Sequence, residues 1–359
     1  MNLKSQQSKL LIKKVQQFVE NSESFALLGI PGVGISVFLK NLVFPKPFRF
    51  VYVDVFALPH ANEKYLFDSL YQKLGGTNHG SLENCQQILE KITQNERVVI
   101  CFGGFDQMKQ TFKKETLKNL KSLGLINRDK ISFIFGICRR IESLIDPNIE
   151  DIDLNMLANT LYIEPYSRED LKELINYYGP YRNISDKEFD AFANLSGGHF
   201  QLFQLLMQSE QTEYLESNPY IKISLTNIYN HLTFGQKTTL KKIIDGKSVA
   251  PDSYLINTGL VKESDKGYKV FSKLFEEFIY KQNTKLPKKE SDLLRLLKQN
   301  KNKIVSKEDI FNTVWGKENI DATDWALDAL IYRLRRNSRF KLSGFTIESH
   351  KKIGYRLIA

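Results

Sequence analysis

The chain has 359 residues, 42% of them hydrophobic, and carries 51 Lys and Arg against 41 Asp and Glu for a net charge of +10; that length suits two to four domains, each able to bury a core. No apolar run approaches the roughly 20 residues needed to cross a bilayer, and the amphipathic opening MNLKSQQSKLLIKKVQQFVE has no signal-type apolar core, so the sequence excludes a membrane-spanning helix and predicts a cytoplasmic protein. Cys85, Cys101 and Cys138 are odd in number and two sit in β-branched and aromatic runs, which makes them small core residues and not disulfides or metal ligands.

From the N-terminus, short apolar runs alternate with helical patterns: SFALLGI, a helix over Ser36 to Val43, FRFVYVDV, a helix from Glu63 to Leu74, RVVICFGGF, a helix near Thr111 to Leu123, then ISFIFGICRR. Strands separated by helices predict a parallel sheet covered on both faces, an α/β fold of nucleotide-binding type.

The first strand runs into GIPGVGIS, Gly29 to Ser36. A phosphate-binding loop needs glycines that let backbone amides point inward, a helix N-terminus facing the anion, a Lys for the β and γ phosphates, and a Ser or Thr hydroxyl for magnesium. Gly29, Gly34 and Ser36 fit that spacing and Gly32 lies between them, but the Lys position is Ile35. In RVVICFGGFDQM the apolar run that should end in a magnesium-binding acid ends at Gly103, with Asp106 three positions later. Asp106 could assist a metal or cap the following helix. Arg139 or Arg140, after ISFIFGIC, stand where a strand-end side chain would face a γ phosphate, or pair with a surface acid instead.

These segments resemble the ATPase core of the AAA+ and STAND families, including the ORC-like branch, over about residues 5 to 210. LYIEPYSREDLKELI looks like the entry to the helical lid, and LSGGHFQLFQLL is similar to the lid's GGhP segment, with Phe200 in place of the Pro. The resemblance implies ATP or ADP as the ligand, held at Gly29, Gly32, Gly34, Ser36, Asp106 and Arg139. Without the Lys and the acid, the main phosphate clamp and the main metal ligand of phosphoryl transfer are gone, so no required cofactor, no catalytic residue and no hydrolysis are expected. His199, beside two glycines at a helix start, reads as structural.

Residues 218 to 283 hold LTFGQKTTLKKIIDG and YLINTGLVKESDKGYKVFSKLFEEFIY, a helix, a short helix and a hairpin turning at Asp265 to Gly267. That is a winged helix of balanced charge, like the one after the lid in STAND and ORC-like proteins, and it is expected to pack or interact instead of binding DNA. KQNTKLPKKE is a polar linker, and Pro287 starts the last domain.

Residues 285 to 359 carry 17 Lys and Arg against 9 Asp and Glu, a net of +8, whereas the other 284 residues carry 34 against 32. Duplex DNA presents about one negative charge per 1.7 Å of axis, so a compact basic module gains affinity by releasing counterions. KESDLLRLLKQN and SKEDIFNTVWG read as amphipathic helices, the second capped by Ser306. From Thr323, Ala326, Leu327, Leu330, Ile331 and Leu334 form an apolar stripe that leaves Arg333, Arg336 and Tyr332 on other faces. A two-strand ribbon closes the domain on Gly-Tyr-Arg.

This stretch, from Leu286 to Ile358, resembles the effector domain of the OmpR/PhoB family of bacterial response regulators, matched by IVSKEDIFNTVWG, LDALIYRLRRN and the closing Gly354 to Leu357. The resemblance implies that the third helix enters the major groove and the wing touches the adjacent minor groove and backbone. By position Arg333 and Arg335 match the helix arginines and Arg356 the wing arginine. Arg336, Lys351 and Lys352 complete the expected DNA-binding set. For Arg335 an ion pair with Asp324 or Asp328 is the alternative, and Leu330 and Tyr332 depart from the family's polar residues. Nothing at the N-terminus shows the clustered acids of a phosphoaccepting receiver domain.

The sequence therefore predicts a multidomain chain: a P-loop-type α/β parallel sheet over residues 1–162, a helical lid over 163–217, a winged helix over 218–283 and an OmpR-type winged helix over 284–359. It predicts a regulator of transcription that reads double-stranded DNA, with RNA polymerase and a second copy of the chain as further partners and no membrane. The alternatives are an ATP-driven switch acting on DNA in defence or replication initiation, using a compensating Lys such as Lys40, and a scaffold without nucleotide affinity.

Overall fold

A computed structural model describes the chain except for residues 1–2, 111–113, 141–157, 179–182, 210–217, 266, 284–286, 317–322, 337–344, 351–352 and 359. It divides into two compact units, Met1–Glu276 and Glu277–Ala359.

The first unit opens with α1 (Gln6–Glu20), β1 (Phe25–Leu28), α2 (Ile35–Lys40), β2 (Phe48–Asp54), α3 (Glu63–Leu74) and α4 (Leu82–Ile92). It continues through β3 (Arg97–Gly103), α5 (Lys114–Leu125), β4 (Ile131–Ile137) and β5 (Asn159–Tyr162). The strands form one parallel sheet in the order β2-β3-β4-β1-β5. All seven residues of β4 and six of seven in β3 are buried, as a sheet covered on both faces requires. Phe102, Phe105, Phe133 and Phe135 pack ring to ring at its centre, with centroids 4.9 to 6.3 Å apart.

The expected α/β sheet is present, with three differences. The fifth strand, β5, extends the sheet beside β1 where the sequence reads only an entry to the lid; it has four residues, and only Leu161 is buried, so no apolar run announces it. α4 is likewise not signalled by a neighbouring strand pattern; a reciprocal cap between Ser81 and Asn84 starts it. α2 ends at Lys40 and not at Val43, because Asn41 turns its side-chain amide back onto the Val37 carbonyl, leaving Val43 78% exposed.

Three helices follow as the lid: α6 (Arg168–Tyr178), α7 (Asp186–Ser196) and α8 (Phe200–Gln208). The first winged helix comprises α9 (Pro219–His231), α10 (Phe234–Ile244), α11 (Ser253–Asn257), β6 (Val261–Ser264), β7 (Gly267–Val270) and α12 (Lys273–Asn283), whose later residues run into the second unit. Its third helix, α11, is pressed onto the end of β4: Tyr254, 4% exposed, donates its hydroxyl to the Cys138 carbonyl at 3.0 Å, and Arg140 donates to Ser253 Oγ at 2.6 Å.

In the second unit α13 (Lys288–Gln299), β8 (Ile304–Ser306), α14 (Lys307–Val314), α15 (Asp324–Arg336), β9 (Thr346–His350) and β10 (Gly354–Ile358) enclose a core of their own. Leu327, Leu330, Ile331 and Leu334 of α15 are each at most 2% exposed. The closing ribbon is a three-stranded sheet, since β8 adds to it in the order β8-β10-β9. Gly354 permits this join, because any Cβ there would run into the Val305 carbonyl.

The start of α1 is fastened to the lid by the Asp170 carboxylate, beside a Lys4–Glu173 ion pair at 2.6 Å. Asp170, fully buried at the start of α6, accepts from the amides of Lys4 and Ser5 at 2.7 and 2.9 Å, from Ser8 Oγ at 2.6 Å, and from Ser5 Oγ. Burial pushes this carboxyl up, and the hydrogen bonds from Ser5, Ser8 and Lys4 outweigh it to hold the pKa below the usual range. Asp170→Ala leaves those donors without partners and is expected to cost about 2 to 3 kcal/mol, measured as a lower urea midpoint of the full chain.

Candidate functional site

β1 delivers Gly29 to Gly34 to the start of α2, as in a phosphate-binding loop, with Gly32 and Gly34 at φ 80° and 113°. The lid sits on this loop. His199, the cap of α8, donates from Nε2 to the Pro31 carbonyl at 2.7 Å and accepts the Leu202 amide on Nδ1 at 3.2 Å. The Gln201 amide donates to the Gly32 carbonyl at 3.0 Å, and the Tyr166 hydroxyl to that of Gly34 at 3.4 Å. A Cβ on Gly32 would strike the Gln201 side chain, and one on Gly34 would lie 2.9 Å from the Tyr166 ring. Close approach of the lid is thus sufficient reason for glycine at both positions.

Positions 35 and 103, where the sequence analysis looked for a Lys and an acid, are both taken up in packing. Ile35 is 7% exposed and rests against the Gly136 backbone on β4. At Gly103 the space a side chain would need is filled by the Tyr52 hydroxyl from the neighbouring strand β2. Burial pushes that phenol's pKa up; its oxygen forms no full hydrogen bond, and the Ser36 hydroxyl is the nearby polar group that acts on it. Lys40 is engaged elsewhere, 2.8 Å from Asp54 and over the Tyr52 ring at 5.2 Å.

Beside the loop lies a cavity of about 530 Å³, lined among others by Ser36, Phe56, Asp106, Gln204, Asn227 and His231. Asp106 is the second residue of the short turn Phe105–Gln110, is 6% exposed, and leaves Oδ1 buried without a hydrogen bond. Burial pushes its carboxyl up, opposed by backbone amides and by His231 and Arg139. Arg139, half-buried after β4, acts on Asp106 from outside the lining. Among the described lining residues there is no Lys or Arg. Among the described residues no three His, Cys, Asp or Glu side chains are grouped to hold a metal, and no helix is long and apolar enough to cross a membrane.

In the second unit α15 and the β9–β10 wing are adjacent, and of the arginines singled out from the sequence Arg335 joins them. Arg333, 58% exposed, pairs with Glu290 of α13, 6% exposed, at 2.8 Å. Arg335 donates to the Ile347 carbonyl and to Ser349 Oγ on β9, both at 2.8 Å, and not to Asp324 or Asp328. Asp324 meets Lys307, and Asp328 accepts the Tyr355 hydroxyl. Arg356 binds Glu348 across the wing, which lowers the Glu348 pKa. Arg336 ends α15 with its side chain outside the described residues, as are Lys351 and Lys352. Sequence reasoning missed Trp325, 80% exposed on α15; it placed Tyr332, 58% exposed, off the buried stripe but named it otherwise only as a departure from the family. Both lie opposite the buried stripe, a spacing visible in the sequence.

Three helices, a three-stranded sheet and a terminal wing define the second unit as a winged helix-turn-helix. Residues 281–357 match the family described as "Transcriptional regulatory protein, C terminal", and the C-terminal domain of the chain belongs to that family. It is similar to the DNA-binding domain of Bacillus subtilis CssR, at 36% identity over 21% of this chain and 78% of that one, with a TM-score of 0.18. The chain is also similar to a Walker-type ATPase of Pyrococcus abyssi (14% identity, 76% of this chain and 95% of that one, TM-score 0.49) and to the Aeropyrum pernix ORC1 protein in complex with DNA (11%, 98% and 88%, TM-score 0.41). No curated protein matches it.

Two outcomes follow from these contacts. Burial lowers the His199 pKa from 6.5 to about 4, so between those values the unfolded chain takes up the proton more readily and stability falls as pH drops from 6.5 towards 4. The loss is about 3 kcal/mol across the window, and urea titrations of the full chain at pH 7 and 4.5 should show a shallower dependence in His199→Gln. Arg333→Ala leaves the Glu290 carboxylate buried alone and is expected to cost about 1 to 2 kcal/mol, discounted for the exposed guanidinium; adding Glu290→Gln should restore most of it in thermal melts.

Proposed function

We propose that the protein regulates transcription by sequence-specific binding of double-stranded DNA through its C-terminal winged helix, and that the first unit is an ATPase-like module without hydrolysis, serving in sensing or assembly. The observation that carries this reading is the family match over residues 281–357, on a domain whose third helix and wing lie side by side. The net charge of +8 in residues 285–359 supports it.

Loss of hydrolysis is supported by Ile35 and Gly103 standing where the phosphate-binding Lys and the magnesium-binding acid belong, by Tyr52 filling the second gap, and by Lys40 bonding to Asp54. Phosphoryl transfer relies on those groups for charge stabilisation. ATP or ADP is at most a ligand of the loop amides. A second copy of the chain on tandem half-sites, and RNA polymerase, are the partners this role calls for.

The test is fluorescence anisotropy of the full chain on a labelled duplex from its own upstream region and on a shuffled duplex at several salt concentrations, with phosphate release measured in parallel. A preference of at least about 100-fold for the native duplex is expected, with no ATP turnover in either DNA's presence. Equal, steeply salt-dependent binding to both duplexes would remove the sequence-reading role, and DNA-stimulated phosphate release would sink the non-hydrolysing reading.

A further inference from the structure

The outward ridge of α15 is not made of Arg333 and Arg335. At 100° per residue, the buried Leu327, Leu330, Ile331 and Leu334 face one way, and the row diametrically opposite is Trp325, Ala329, Tyr332 and Arg336. Arg333 falls on one flank, turned to Glu290 of α13, and Arg335 on the other, turned to Ile347 and Ser349 of the wing. Trp325 and Tyr332 are 80% and 58% exposed. The row spans about 16 Å of helix, and the major groove is about 12 Å wide, enough to admit a helix.

This ridge has a chemistry of its own. Its first three residues offer two aromatic faces, a methyl group, one indole N–H and one phenol hydroxyl, with no guanidinium, carboxamide or carboxylate. In the major groove the edges of G, C and A are read by paired donors and acceptors, and the one apolar group exposed there is the C5 methyl of thymine. The cationic flanks match the phosphate walls on either side, while Asp328, the acid nearest the ridge, is held by the Tyr355 hydroxyl.

We propose that Trp325, Ala329 and Tyr332 are the base-contacting residues of this domain and that they select sites by thymine methyl groups in the major groove, with Arg333 and Arg335 fixing the helix between α13 and the wing. The inference rests on the DNA-binding reading above and deepens it.

The experiment separates the two. A duplex is recovered from a randomised pool on the full chain, and its thymines are replaced one at a time by deoxyuridine, which removes only the methyl. Wild type is expected to lose about 4-fold in affinity for each contacted methyl, and Trp325→Ala with Tyr332→Ala to bind more weakly and no longer distinguish uracil from thymine. A cooperative melt of the variant well above the assay temperature excludes misfolding. Selective binding indifferent to every uracil substitution would overturn the proposal while leaving DNA reading intact. So would a variant that selects and binds as wild type does, which would make the ridge a protein-docking surface. Failure to enrich any duplex would overturn both readings.

Discussion

The first unit depends on the seating of the lid against the loop after β1. Two loop carbonyls, Pro31 and Gly32, accept from His199 and the Gln201 amide, and His199 also caps α8 through its other nitrogen. One imidazole thereby fixes the tautomer, the helix start and the loop conformation together. An imidazole with both nitrogens committed and no exposure has no room for a second proton. The glycines, the neutral His199 and the placement of Tyr166 over Gly34 are one arrangement seen from three residues.

Much of this was legible beforehand, and the rest was not for definable reasons. The alternation of apolar runs and helical periods gives four strands of the parallel sheet, because buried strands need continuous apolar sequence. β5 escapes because an edge strand of four residues with one buried side chain has no such run. The substitutions at Ile35 and Gly103 are readable from spacing alone. What fills the resulting gap is not, since Tyr52 meets Gly103 only through the pairing of β2 with β3. The stripe on α15 predicts its dry side correctly, yet the partners of its arginines lie on α13 and β9, and no local pattern reveals them.

The second unit shows how a formal charge count can mislead about where charge is available. Arg333 and Arg356 each face a carboxylate inside the domain, and Arg335 spends its donors on the wing. These contacts hold α15 at a set angle between its neighbours. A helix held this way presents its outer row with little freedom, so the identity of Trp325 and Tyr332 matters more than the number of cations near them.

The Tyr52 hydroxyl in the place of a side chain at Gly103 also bears on which exchanges the sheet can accept. Placing an acid at 103 alone would drive its Cβ into the phenol, while replacing Tyr52 first would open a void against a bare glycine and forfeit packing. Each order of steps passes through an intermediate less stable than either end. Positions 52 and 103 are therefore coupled across two strands: a side chain is admitted at 103 only when the ring at 52 is cut back with it.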